Sequence, residues 1–270
     1  NRFFNCGVAE ANMASMAAGM AAGGLKPFVY TIAPFTTTRC FEQIRVDICY
    51  HNVPVTVVGA GAGLSYASLG HRHHSCEDIA ILRTLPHMSI VCPGDAVEVR
   101  LAVAAAAKHA GPLYVRLGKK GEPVVHTSDP AFMIGRGILL REGRDVALLS
   151  TGTLLPTAVA AADLLEKSGV SARVVSFHTV KPLDQALLAE CFERSKVVVS
   201  IEEHGRIGGL GSAIAEWMAE QGTVLARLLS IGTPDDFLHE SGGQKYARAR
   251  FGLTPEAISA KILASLSSSQ

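Results

Sequence analysis

Glu10 is the only charged residue between Arg2 and Lys26. It stands near the start of "GVAEANMASMAAGMAAGG", Gly7 to Gly24, a run of small and apolar residues with helical spacing. A carboxylate in the first turn of a helix is favoured by the helix dipole. A carboxylate in dry, small-residue surroundings also has a raised pKa and can hold or share a proton at neutral pH, which makes it a candidate acid. Both readings stand at this point. The run is short for a membrane span and carries Glu10, Asn12 and Ser15, so a spanning helix is not expected.

A second cluster is "LGHRHHSCED", Leu69 to Asp78, after the apolar run "PVTVVGA". In an open parallel sheet, ligands bind beyond the carboxyl ends of the strands, where this loop should lie. His71, His73, His74 and Cys76 match no standard zinc spacing, and adjacent ligands cannot all converge on one ion. One or two of the histidines are suited to proton transfer or anion binding. The plain alternative is a solvated loop with Ser75 capping the helix that opens "CEDIAIL". Arg116 and Lys119 in "VRLGKK" also follow a strand; they suit an anionic substrate group or form an ordinary basic turn. "EEHGRIGGLGSAIAEW", Glu202 to Trp217, is not G-x-G-x-x-G and reads as a tight strand-to-helix turn whose glycines permit close approach. The sequence has no P-loop and no serine nucleophile elbow.

The elements that must position these residues alternate. Helices are predicted over 9–22, 37–51, 76–84 and 95–109, with strands "PFVYTI", "PVTVVGA", "SIVCP" and "PLYVRL" between them. The strands are nearly continuous apolar runs, as buried parallel strands are. Residues 118–135 break this pattern with polar residues, Gly and Pro, and the linker proper is placed at 123–135. Alternation resumes with "DVALLS", a helix over 155–168, "ARVVSF", a helix over 183–194 and "KVVVSIEE". A helix over 210–221, "VLARLLSI" and a last helix from about 255 follow, with a frayed "SSSQ" end. The prediction is two α/β domains, 1–122 and 136–270, each a mostly parallel, doubly wound sheet.

Composition sets outer bounds. The 270 residues carry a formal net charge of +1 and are 48% hydrophobic, enough for two cores and without a footprint for nucleic acid or an anionic membrane. The six cysteines, Cys6, Cys40, Cys49, Cys76, Cys92 and Cys191, show no paired spacing and read as thiols in a reducing, cytoplasmic compartment. No secretory signal is visible. The first residue is Asn1 rather than Met and the chain starts almost directly on a helix, so the natural N-terminus is expected to be missing or cleaved.

In order, the motifs resemble a known family. "GVAEANMASMAAGMA" is similar to the G-[IV]-x-E-x-x-M-x-x-x-A-x-G-[ILM]-A signature of transketolase-type thiamine diphosphate enzymes. "TTTRCFEQIRVDI" looks like the next helix of their pyrimidine-binding domain, and "GHRHHSCEDIAILRTLPHMSIVCPGDAVEV" resembles their G-x-x-H-x-x-x-E-D run. "SIEEHGRIGGLGSAIAEW" resembles the transketolase C-terminal domain. The resemblance implies that Glu10 contacts N1′ of the cofactor's aminopyrimidine. A shared proton there favours the imino form, whose 4′ nitrogen removes the proton from thiazolium C2. It implies Phe35, within one residue, as the aromatic that stacks on the pyrimidine, with Phe41 beside it in the cofactor site. His73 matches the substrate-site histidine, with His71 and His74 flanking it, and Lys119 lies near a residue that holds substrate phosphate.

The family binds the diphosphate through Mg²⁺ at a G-D-G…N motif in a separate N-terminal domain, which this sequence lacks. The resemblance therefore implies a fragment or one subunit of a split enzyme, with a companion chain supplying that site in an α2β2 assembly. Leu69 stands where transketolases usually have Asp to read a sugar hydroxyl, and "GAGAGL" lacks an upstream histidine, which argues against an ordinary pentose phosphate. The leading expectation is transfer of a two-carbon ketol unit from a ketose to an aldose. The runner-up is a decarboxylating enzyme, resembling 1-deoxyxylulose-5-phosphate synthase or a 2-oxoacid dehydrogenase β subunit. A non-catalytic partner subunit is the third.

Overall fold

The computed structural model describes residues 2–119, 121–222 and 226–267. The predicted fraying at the C-terminus and the first residues of "VLARLLSI" lie outside them.

The first sheet has the order β1-β2-β4-β3-β8. Its members are β1 (Phe28–Ile32), β2 (Thr56–Ala60), β3 (Ser89–Val91), β4 (Leu113–Arg116) and β8 (Thr179–Lys181). The first four run parallel, and β8 pairs antiparallel with β3. Alternate strand residues face opposite ways, as the two-residue period of a strand requires. Val57, Ile90 and Tyr114 join the helix α1 (Glu10–Ala22), while Val58, Val91, Leu113 and Val115 meet α5 (Ala96–Ala106). On α1 the buried positions are Ala14, Ala17, Ala18 and Ala21, one stripe of small side chains.

The second sheet has the order β10-β9-β6-β7-β5. It comprises β5 (Ile138–Arg141), β6 (Val146–Thr151), β7 (Ala172–Ser176), β9 (Val197–Gly205) and β10 (Arg227–Thr233). All its pairs are parallel except β5 on β7. Val146 and Leu148 pack with α6 (Leu155–Lys167) and α10 (Pro255–Ser267). Ala147 and Leu149 face the other way, onto α7 (Gln185–Arg194) and α8 (Leu210–Glu220). This is the predicted pair of mostly parallel α/β units.

The departures are local. The helix predicted over 37–51 is instead α2 (Ala33–Thr36), a break, then α3 (Phe41–Gln43) running into a π-helical turn over Ile44–Tyr50. At the break, the Thr37 N–H and Oγ1 both donate to the Ala33 carbonyl, at 3.0 and 2.7 Å, which closes the last turn of α2. Strands β5 and β8 and the helix α9 (Gln244–Arg250) were absent from the sequence expectation. β8 lies beyond the linker yet completes the first sheet. Lys181 on it donates to the Arg83 and Leu85 carbonyls at 2.8 and 2.6 Å, at the end of α4 (Asp78–Arg83). In return, Leu64 and Ala67 of the first unit are buried in the core of the second.

Candidate functional site

Ile32, Ala60 and Arg116 close three adjacent parallel strands at one edge of the first sheet. The segments leaving those strands meet there. Pro34 at the start of α2 fixes the entry of the chain into the helix. The Arg39 N–H then bonds the Pro34 carbonyl five residues back at 3.1 Å, a widened turn. That turn lays Arg39 over Phe35, with Cζ 4.2 Å from the ring centroid. Arg39 Nη1 also donates to Glu10 Oε1 at 2.7 Å. His73 meets Phe35 edge-on at 5.4 Å and Tyr66 at 6.3 Å, and Lys119 Nζ lies 4.9 Å over Tyr66. Glu10, Arg39, Phe35, His73, Tyr66 and Lys119 thus form one continuous line. Gly61 makes room for it: its φ is +67°, and a Cβ there would lie 1.9 Å from the Tyr66 ring.

The electrostatics of Glu10 differ from the expectation. A raised pKa was expected from apolar surroundings. Instead Glu10's own backbone N–H, and then Arg39, hold the carboxyl below its ordinary range against the opposing effect of burial. Glu10 in this chain is ionised and paired. His73 has a buried Nδ1 without a hydrogen-bond partner.

Other predicted positions are corrected. Arg116 is buried: its Nε donates to Asp78 Oδ2 at 2.8 Å, and Nη2 donates to the Ser75 and Glu203 carbonyls at 2.7 and 3.0 Å. It ties the histidine loop to β9, and its charge is paired with Asp78 out of reach of solvent, so it is a buried structural cation rather than an exposed anion holder. His74 is buried with Nε2 3.5 Å from the Ala67 carbonyl, and burial pushes its pKa down, so it braces the loop. His71 is exposed and faces the Phe237 ring at 6.0 Å, away from the Phe35 pair. Phe41 packs against the core cluster that contains the buried alanines of α1. Ser75 caps nothing; its hydroxyl is buried without a partner, and α4 begins at Asp78. Among the described residues, no group of three or more His, Cys, Asp or Glu side chains is placed to hold a metal ion. Leu69 stands 52% exposed at the end of a short turn, with no polar group to offer a hydroxyl.

Arg39 and Tyr66 were not assigned from sequence. The signal for Arg39 was its spacing of four from Phe35, which places two side chains on one helical face. The "RIGGLG" turn is structural, as expected: a Cβ on Gly209 would lie 2.1 Å from Glu202 Oε2, whose carboxylate accepts the Leu210 and Gly211 N–H groups.

The chain is similar in sequence and fold to known proteins. Residues 1–122 match the family model of the transketolase pyrimidine binding domain, and residues 135–258 match that of the transketolase C-terminal domain. A Methanocaldococcus jannaschii protein described as a transketolase C-terminal section is 37% identical over 265 residues, covering 97% of this chain and 82% of that protein. The 6-deoxy-6-sulfo-D-fructose transketolase subunit SqwH of a Clostridium species is 37% identical over 257 residues, covering 95% and 79%. A solved structure titled as a split gene transketolase, inactive beta4 tetramer, superposes with a TM-score of 0.89 at 38% identity, covering 98% of this chain and 84% of that one.

Proposed function

The chain belongs to the transketolase family, and from that premise we propose that it is the pyrimidine-binding subunit of a split thiamine diphosphate-dependent transketolase. It transfers a two-carbon ketol unit from a ketose to an aldose. Residues 1–122 form the pyrimidine-binding domain and 136–270 the C-terminal domain. A companion subunit carries the diphosphate and Mg²⁺ site, two copies of each chain assemble, and the enzyme works in the cytoplasm.

The observation that carries this reading is the seat between Glu10 and Phe35. A carboxylate and an aromatic face both engage one flat N–H donor there, the Arg39 guanidinium. An aminopyrimidine protonated at N1′ is also a flat N–H donor, so the two residues fit it. When bound, thiamine diphosphate supplies the carbon nucleophile for breaking and making the carbon–carbon bond. Glu10 holds a proton at N1′, and Phe35 supports the ring face. His73, half-buried and edge-on to Phe35, stands beside this seat as the group that meets a substrate oxygen. Lys119, exposed beside Tyr66, holds a substrate phosphate or comparable anion. With Leu69 in place of a hydroxyl-reading group, an ordinary pentose phosphate is not the preferred sugar.

The test uses this chain co-purified with its companion, thiamine diphosphate and Mg²⁺. A panel of phosphorylated and sulfonated ketoses is supplied with an aldose acceptor, and pyruvate is supplied separately. Release of an aldose without CO₂ is expected. CO₂ released from pyruvate would move the enzyme to the decarboxylating branch.

A further inference from the structure

We propose that Arg39 is the placeholder of the pyrimidine seat: in the free chain its guanidinium occupies the position between Glu10 and Phe35 that the cofactor's ring takes, and binding displaces it. The proposal rests on the reading of Glu10 and Phe35 as the pyrimidine's partners. It adds a positioning residue that neither touches the reacting atoms nor remains in the seat during turnover.

Three observations carry it. The Arg39 Cζ is 4.2 Å from the Phe35 centroid, close to the contact distance of about 3.5–4.0 Å between stacked carbons, so no second ring fits beneath it. The same guanidinium uses Nη1 on Glu10 Oε1 at 2.7 Å, the carboxylate that a protonated ring nitrogen needs. The Arg39 side chain is 47% exposed while Glu10 is 11% exposed, so the cation can swing into solvent and leave the carboxylate in place. An ion pair open to water on one side is weakly held, which makes the guanidinium displaceable by a better-fitting group. Until then it keeps Glu10 paired and the Phe35 face covered. A planar cation suits this task and lysine does not, because only the guanidinium can stack and donate together.

The experiment titrates the chain with hydroxymethylpyrimidine, the cofactor's aminopyrimidine ring without its thiazolium or diphosphate, which takes up a proton at N1′ when it pairs with Glu10. Affinity is read by calorimetry, and the Arg39 side-chain Nε signal is followed by ¹⁵N NMR. Arg39→Gln should bind the ring about two- to five-fold more tightly than the parent, as expected from removing one half-exposed ion pair. In the parent, the Arg39 signal should move with the same midpoint as binding. Arg39→Lys, which keeps the charge without the flat face, should also bind more tightly than the parent. Equal or weaker binding by Arg39→Gln, or a stationary Arg39 signal while the ring binds, overturns the proposal. Failure of both parent and Arg39→Gln to bind also overturns it, because an emptied seat must accept the ring. The underlying reading fails separately if Glu10→Gln and Phe35→Leu bind the ring as the parent does.

Discussion

Arg116 and Lys119 lie three positions apart at the end of one strand, yet burial gives them different tasks. Tyr114 and Arg116 alternate onto the same side of β4, where the Tyr114 O–H and Arg116 Nε both donate to Asp78 Oδ2, at 2.6 and 2.8 Å. Burial alone would raise the Asp78 carboxyl; the Arg116 charge and these hydrogen bonds outweigh it and hold the group below its ordinary range. This contribution to stability is present above the ordinary carboxylate pKa of about 4 and is lost as pH falls through the lower folded value. Removing one partner of a buried pair strands the other charge, so Arg116→Ala should cost about 3–5 kcal/mol in urea denaturation. Lys119→Ala should change stability by less than about 0.5 kcal/mol and instead raise KM for a phosphorylated or sulfonated substrate. The two-residue alternation was readable in "LYVR"; the carboxylate opposite it was not, because Asp78 comes from a different segment. The same limit applies to the histidine run, whose three rings face Phe237, Phe35 and Ala67.

At the scale of the element, two segments do most to shape the site. In the first, one helix was expected over 37–51 from its apolar spacing. Spacing does not report the hydroxyl of Thr37 bonding back to Ala33, nor the widened turn that brings Arg39 over Phe35. The other segment is β9, where consecutive buried side chains serve different neighbours. Glu202 accepts N–H groups at the start of α8, and burial drives its pKa up to about 7. Glu203 accepts the Leu64 N–H at 2.7 Å and pairs with Arg248 on α9. His204 Nε2 accepts the Ala80 N–H at 3.3 Å, and burial pushes the imidazole down to about 4. Between about pH 4 and the ordinary histidine value of about 6.5, the folded chain therefore binds fewer protons at this residue than the unfolded chain, and His204 makes stability fall as pH falls. Relative to the parent, His204→Gln should gain about 3 kcal/mol between pH 7 and pH 4. Urea titrations at the two pH values check this; an unchanged difference would mean that His204 is not buried in its neutral form.

At the scale of the whole molecule, continuous apolar strands alternating with helices were enough to predict two mostly parallel sheets, because that pattern has few other ways to bury both faces. How the halves are joined was not readable. β8 has three residues, too few for a period to show, and its pairing with β3 joins segments about ninety positions apart. The joints are hydrogen bonds between distant chain segments: the Cys92 N–H to the His178 carbonyl at 2.6 Å, the Gly152 N–H to the Cys92 carbonyl at 2.9 Å and the Arg116 contacts to β9. They give the edge bearing Glu10, Phe35 and His73 a rigid backing. No helix among the described residues is long and apolar enough to cross a membrane. In the proposed enzyme this edge is half of a shared site, completed by a companion chain. The most direct measurement is ketol-transfer turnover, alongside cofactor affinity, for this chain alone, for the complex and for the complex carrying Glu10→Gln. The chain alone should show no turnover and the complex should turn over. Substitution should cost the complex about 10²–10⁴-fold, with the diphosphate still anchored by the companion. Full turnover by the Glu10→Gln complex, or by this chain alone, would rule out a shared site in which Glu10 activates the cofactor.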